Sequence, residues 1–366
     1  LGERGRLCCD CCWSHLRGRW RKISDMRLTL SLVILLAGVI GSGFIAAKET
    51  PPDALLVLSK NDQTLAIVDP ASLQVIARIP VGHDPHEVIA SADGGTAYVS
   101  NYGSGAYNTL AVVDLVAQKA SAPIDLGALR GPHGLAFVGG KTWFTAEAAK
   151  AIGRYDPASQ KVDWILGTGQ NRTHMIYVSS DMARIVTTNV SSGTVSIIEK
   201  AGSQGGPPPS APGGSAGDWN ETVVRVGSGS EGFDVSRDGR EIWVANAGDG
   251  TVSIIDLASK QVTETLAADV KSANRLKFTP DGKSALISML RGPDVTVIDY
   301  ASHKTVKRIA VGHGAAGMVM QPDGARAFVS CSPDDYVAVI DLRSLEVVGH
   351  IDVGPNPDGI TWVTRR

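Results

Sequence analysis

Three short stretches place a histidine directly ahead of an apolar, strand-like run: DPHEVIA with His86, GPHGLAF with His133 and RTHMIYV with His174. Neutral imidazole is the commonest side-chain ligand for zinc, copper and iron, and it is the usual general base near neutral pH. One such histidine is ordinary. Three copies at one place in a local pattern do chemistry together only if the fold gathers them, so the elements that carry them come next.

A β-branched run ending in an acid recurs along the body: LAIVD at Asp69, LAVVD at Asp114, VSIIE at Glu199, VSIID at Asp256, VTVID at Asp299 and VAVID at Asp341, with a weaker copy, IGRYD, at Asp156. Copies recur roughly every 42 to 45 residues, and the one longer interval contains AGSQGGPPPSAPGGSAG. A period of this size built from short apolar runs predicts a repeated sheet unit rather than a helical solenoid. Each unit reads as four strands, as in EGFDVS, EIWVAN, TVSIID and QVTETL. Asp93-Gly94, Asp238-Gly239, Asp281-Gly282 and Asp323-Gly324 supply the positive φ that tight hairpins need. These aspartates stand singly in turns, without the ligand spacing of a calcium loop.

Seven four-stranded units in an open sheet would leave edges unpaired, so radial closure into an all-β, seven-bladed propeller is expected. The chain ends agree. ALLVLS begins the first unit at its second strand, and NPDGITWV supplies a first strand at the C-terminus, so the two complete one blade.

Second strands read YVSN at Tyr98–Asn101, VTTN at Val186–Asn189, WVAN at Trp243–Asn246 and FVSC at Phe328–Cys331, while fourth strands end IPVG, IAVG and IDVG. Over residues 54 to 363 the chain resembles the YVTN-repeat β-propellers, secreted or surface proteins of bacteria and archaea. The resemblance implies the seven-bladed fold and a binding role. Lys60, Ala146, Met289 and Cys331 replace asparagine in the signature position, and the third unit reads as degenerate. Where asparagine is kept, it is expected to satisfy backbone groups at the ends of second strands.

Aligned on the repeat, the position that opens each first strand holds His86, His133, His174, Glu231, Asn274, Ala316 and Asp358. First strands border the channel of a propeller, and Asp358 neighbours His86 once the ring closes. The expected site is therefore an arc at one channel mouth. Asp358, His86, His133, His174 and Glu231 are candidate ligands for a divalent transition metal, and His133, His174 and Glu231 are candidate catalytic groups. His83, Arg130, Arg172, Asn274 and Arg275 are expected on a ligand-binding rim. Two functions follow. The first is a non-catalytic binding or interaction module for an unidentified protein or small molecule. The alternative is a metal-dependent hydrolase or lyase, since lactonases and streptogramin lyases carry similar PHG-type histidines at this mouth. The plain reading of the same histidines is packing at the rim, because PHG is also how this repeat opens a strand. GSGSEG at 227–232 satisfies a dinucleotide fingerprint in letters only, since no helix follows.

The ends and charge bound the rest. Residues 1–47 hold seven basic and three acidic groups of the 35 and 37 in the chain, which leaves the remainder at −6 and makes nucleic acid a poor partner. From Met26 a basic start, an apolar run over 28–47 and small residues before Lys48 read as a signal peptide, or as a membrane anchor if uncut. Export to the periplasm, cell surface or medium is expected, as a monomer. Residues 1–25, with Cys8, Cys9, Cys11 and Cys12, read as a spurious or disordered extension, 48–53 as a linker, 54–366 as the propeller, and 201–218 as a flexible insertion. Cys331 is expected to pack as a small apolar side chain.

Overall fold

The computed structural model describes residues 48–202 and 218–366, so the readings of 1–25, 26–47 and most of the insertion lie outside the described residues. Apart from two single-turn 3-10 segments, Gly103–Gly105 and Ser332–Asp334, every regular element in these residues is a strand. The strands form seven antiparallel sheets. Blade 1 closes the ring as expected: the C-terminal strand Pro357–Thr364 pairs with Asp53–Ser59, followed by Thr64–Asp69 and Gln74–Pro80. The inner strands of blades 2 to 7 are Pro85–Ala90, Pro132–Val138, Thr173–Val178, Ser230–Val235, Ala273–Phe278 and Ala315–Met320. Each packs on the inner strand of the next blade, and Ala315–Met320 hands on to Pro357–Thr364, which in turn meets Pro85–Ala90.

The core is not central. It lies in seven apolar layers between neighbouring blades, such as Leu56, Leu58 and Ile67 against Val99 and Val113 between blades 1 and 2. Second and third strands are covered on both faces, as in the buried centre of Thr251–Asp256, and so carry near-continuous apolar runs. Outer strands alternate, as Lys161–Gly167 does, because one face looks to solvent. The acids that end the third strands cap the following turns: Asp256 Oδ1 accepts from the Ser259 N–H at 2.7 Å, and Asp341 Oδ1 from the Ser344 N–H at 2.8 Å. Glu199 departs from this role and pairs with Arg184 at 2.8 Å and Lys260 at 2.5 Å.

Blade 3, degenerate in sequence, is a complete four-stranded sheet. The irregular blade is the second, whose outer strand is broken into Lys119–Ala120 and Ile124–Asp125. Pro123 stands between the pieces and has no N–H to give to a ladder. Lys48–Pro52 are fastened to the propeller: Thr50 is buried and donates to the Leu115 carbonyl at 2.6 Å, and Gln118 donates to the Lys48 carbonyl at 2.7 Å.

One irregularity recurs in all seven blades and sets the channel mouth. Pairing slips just inside the start of every inner strand, so that Pro85 faces Asn101 while Val88 faces Val99. Two residues then stand opposite one, and a bulge of this kind re-aims side chains. A hydroxyl from the second strand binds the freed backbone. Thr145 accepts from the Gly134 N–H at 2.9 Å and donates to the His174 carbonyl of the next blade at 2.6 Å. Thr188 and Ser288 repeat the bridge to Glu231 and Ala316.

Candidate functional site

The bulged position of each inner strand holds His86, His133, His174, Glu231, Asn274, Ala316 or Asp358, and all but His86 are buried. Five of these side chains meet in blade order. The His86 and His133 rings lie 4.4 Å apart by centroids and the His133 and His174 rings 3.8 Å apart. His174 Nε2 stands 3.1 Å from Glu231, and His86 Nδ1 3.6 Å from Asp358. The five residues of the expected arc are thus adjacent.

Three further side chains enter from the ends of second strands, and sequence reasoning missed them. Ser59, not Lys60, holds the signature position of blade 1, since it faces Pro357 as Asn101 faces Pro85. The Lys60 ammonium, from the next residue, lies 2.7 Å from His86 Nδ1, 3.0 Å from Asp84 and 3.2 Å from Asp358. Tyr102 and Glu147 are the equivalents of Lys60 in blades 2 and 3, one residue beyond the signature position, where the other blades have Val190, Ala247, Leu290 and Ser332. The Tyr102 hydroxyl donates to Glu147 Oε2 at 2.5 Å, and Glu147 Oε1 bonds His174 Nδ1. The detectable signal was a departure from the repeat, a charged or phenolic residue where its equivalents are small or apolar.

The two halves of the arc differ in charge state. Burial disfavours a charged His86, and the Lys60 ammonium adds to this against the pull of Asp358, so its pKa falls to about 4. Lys60 donates to its Nδ1, which leaves the proton of the neutral ring on Nε2. This end of the arc already holds a cation, and the expectation of His86 and Asp358 as metal ligands meets a site filled by an ammonium.

At the other end, burial also works against a charged His174, but Glu231 and Glu147 outweigh it and push the pKa up to about 9. Burial raises Glu231 as well, yet the imidazolium of His174 and the nearby arginines hold it down to about 2. Arg172 closes this pair on the solvent side, 3.5 Å from Glu147 and 3.7 Å from Glu231.

His133 lies between the halves and is 1% exposed. Burial, reinforced by positive charge on its neighbours, keeps its ring neutral. Both of its nitrogens are buried without a hydrogen-bond partner, and His174 Nε2 and Asn274 Oδ1 are also unbonded. The Glu231 contact to His174 Nε2 is close in distance but poorly aligned for donation. Leaving buried polar atoms unpaired costs about 1–3 kcal/mol each. The mouth therefore keeps unused hydrogen-bonding capacity at its most enclosed residue.

Arg275 does not sit on the rim. It is buried and bonds Glu87 of blade 2 from blade 6, so the pair spans the channel. Arg130 and His83 are exposed at the edge, with His83 6.4 Å from the Tyr107 ring. His83, Tyr107, Pro80 and Pro123 line a separate groove of about 400 Å³ beside the broken outer strand of blade 2. That groove is largely apolar and contains none of the arc residues. Asn101 satisfies the Val81 and His83 carbonyls as expected, whereas Asn189 and Asn246 bond hydroxyls of third strands instead.

The glycine after the arc position is a packing device. A Cβ on Gly134 would lie 2.5 Å from the His174 carbonyl oxygen, and one on Gly359 2.3 Å from that of His86. The PHG motif therefore has a steric reason independent of chemistry.

Residues 213–324 match a family model described as YNCE-like β-propeller. That match supports a propeller over the stretch it covers, while the finer likeness to YVTN repeats rests on the repeat motifs alone. No curated protein matches the chain. Among solved structures, a functionally unknown protein from Desulfotomaculum acetoxidans is similar, with 14% identity over 86% of this chain and 99% of that one, at a TM-score of 0.69. Kuenenia stuttgartiensis hydrazine synthase is similar with 16% identity over 75% and 88%, at 0.61. The dihydro-heme d1 dehydrogenase NirN follows with 16% identity over 86% and 76%, at 0.59. At these identities the likeness is one of fold, and the chain is a seven-bladed β-propeller that closes its ring between its first and last strands.

Proposed function

We propose that the chain is an exported binding protein that holds a small polar ligand, or a short segment of a partner, at the channel mouth over His86, His133, His174 and Glu231. The observation that carries this reading is His133, enclosed on all sides with both ring nitrogens unbonded. A rigid ring that builds such a pocket from neighbouring blades is preorganised, and ordering cost on binding is small. Arg172, 41% exposed on its side chain, is the group positioned to meet an incoming ligand first.

The test is native mass spectrometry of the protein purified from its own cells. The wild type should carry an added organic mass that Arg172→Ala and His133→Ala lose while keeping their fold. The reading fails if no added mass is present, or if the variants retain it unchanged.

A second reading is hydrolysis of a cyclic ester. It draws on the neutral ring of His133 stacked beside the charged ring of His174, a base and an acid side by side. Turnover of simple γ- and δ-lactones that vanishes in His133→Ala would support it. Absence of turnover with and without added zinc would remove it.

A further inference from the structure

Lys60 fills one half of the arc, and the other half lacks an equivalent cation. Around the mouth five carboxyl groups (Asp84, Glu87, Glu147, Glu231, Asp358) face three permanently cationic side chains (Lys60, Arg172, Arg275). The pocket therefore favours a cation over an anion. We propose that His133, His174 and Glu147 bind one divalent first-row transition metal ion, with Zn2+ as the reference occupant. This deepens the channel-mouth reading above and rests on it.

Three observations converge. One ligand atom from each residue lies within 4.8 Å of the others. Ligands on a tetrahedral zinc stand about 3.3 Å apart, so the set closes when the His133 ring turns inward and the ion displaces the proton shared between His174 Nδ1 and Glu147 Oε1. The His133 ring has no hydrogen bond to lose by turning. Second, outer partners stand behind the other two ligands. Glu231 stands 3.1 Å from the far nitrogen of His174, and the Tyr102 hydroxyl holds the far oxygen of Glu147 at 2.5 Å. A carboxylate behind a ligating imidazole is the usual support of a metal site. Third, two imidazoles and one carboxylate suit zinc and its neighbours, while calcium and magnesium would demand more oxygen ligands than the one carboxylate of this set supplies. Three protein ligands leave a fourth position for water or for the ligand itself. His86 stays outside the set because Lys60 occupies its Nδ1.

The test uses the full chain, stripped with EDTA and dialysed against Zn2+, with bound metal counted by elemental analysis. The wild type should hold one more ion per chain than His133→Ala or Glu147→Gln, and ions held by Cys8 to Cys12 cancel in that difference. Equal zinc in all three overturns the proposal. Should either variant lose its circular dichroism spectrum, two other measurements decide. Co2+ added to the wild type should give visible ligand-field bands of a four- or five-coordinate nitrogen–oxygen site, and their absence overturns the assignment. Glu231→Gln should keep the stoichiometry and weaken Zn2+ binding 10–100-fold; unchanged affinity overturns Glu231 as the support behind His174, and with it this set of ligands. Native mass spectrometry separates this proposal from the one it rests on. An organic mass without zinc sinks the metal site alone, and zinc without a retained organic mass sinks the ligand reading alone.

Discussion

Replacing His133 by leucine should stabilise the metal-free protein. The ring is 1% exposed and both nitrogens lack partners, so the folded state carries two unpaired polar atoms at about 1–3 kcal/mol each. Leucine removes both. It also forfeits the ring contacts with His174 at 3.8 Å, His86 at 4.4 Å and Tyr102 at 5.1 Å, together worth about 1.5–4.5 kcal/mol. The midpoints of the two ranges leave a net gain on the order of 1 kcal/mol. Guanidinium denaturation in EDTA should show it as a higher midpoint at unchanged slope. In excess Zn2+ the order should reverse, because an ion at a hundred times its Kd adds about 2.7 kcal/mol to the wild type alone. A loss of more than about 1 kcal/mol for His133→Leu in EDTA would refute the reasoning. It would mean that an ordered water already satisfies the ring, and the central observation for a ligand site would be gone.

Other consequences are as direct. Arg275→Met should cost about 3 kcal/mol, because Glu87, only 12% exposed on its side chain, is then left unpaired, whereas Glu87→Leu with Arg275→Met should recover most of it; equal losses in the single and double variants by chemical denaturation would disprove the pairing. Gly317→Ala places a Cβ 2.2 Å from the Asp358 carbonyl oxygen and should cost about 1–3 kcal/mol, while Gly167→Ala, with open space around it, should be neutral; like effects in both would refute the steric role. In EDTA the stability curve should peak near pH 6.5. His174, raised to about 9, contributes fully below its unfolded pKa and loses that contribution as pH climbs toward 9, while His86, lowered to about 4, costs stability as pH drops from 6.5 toward 4 because only the unfolded state takes up its proton. The depressed pKa values of Glu231, Glu147 and Asp358 add to the acid side, where their contribution is lost as pH falls below the unfolded carboxylate range. Denaturation midpoints that rise steadily from pH 6.5 to 9 would contradict the charged state of His174.

The amino-acid sequence alone determined the architecture. Period, strand count and closure were legible because each depends on neighbours a few residues apart: alternation within a strand, Asp-Gly in a turn, an acid that caps the next hairpin. Equivalent places in a repeat become adjacent places in a ring, so the order Asp358, His86, His133, His174, Glu231 could be read before any coordinate. The same reading misplaced Arg275 at the rim, set Lys60 one position off in the repeat and passed over Tyr102 and Glu147. Only the tertiary structure joined Glu87 to a residue 188 positions away, set an ammonium at 2.7 Å from His86 and put a carboxylate on each side of His174. Charge state is the product of those contacts. Burial and Coulomb energy change over a few ångströms between groups from different blades, and that is a distance no repeat period records.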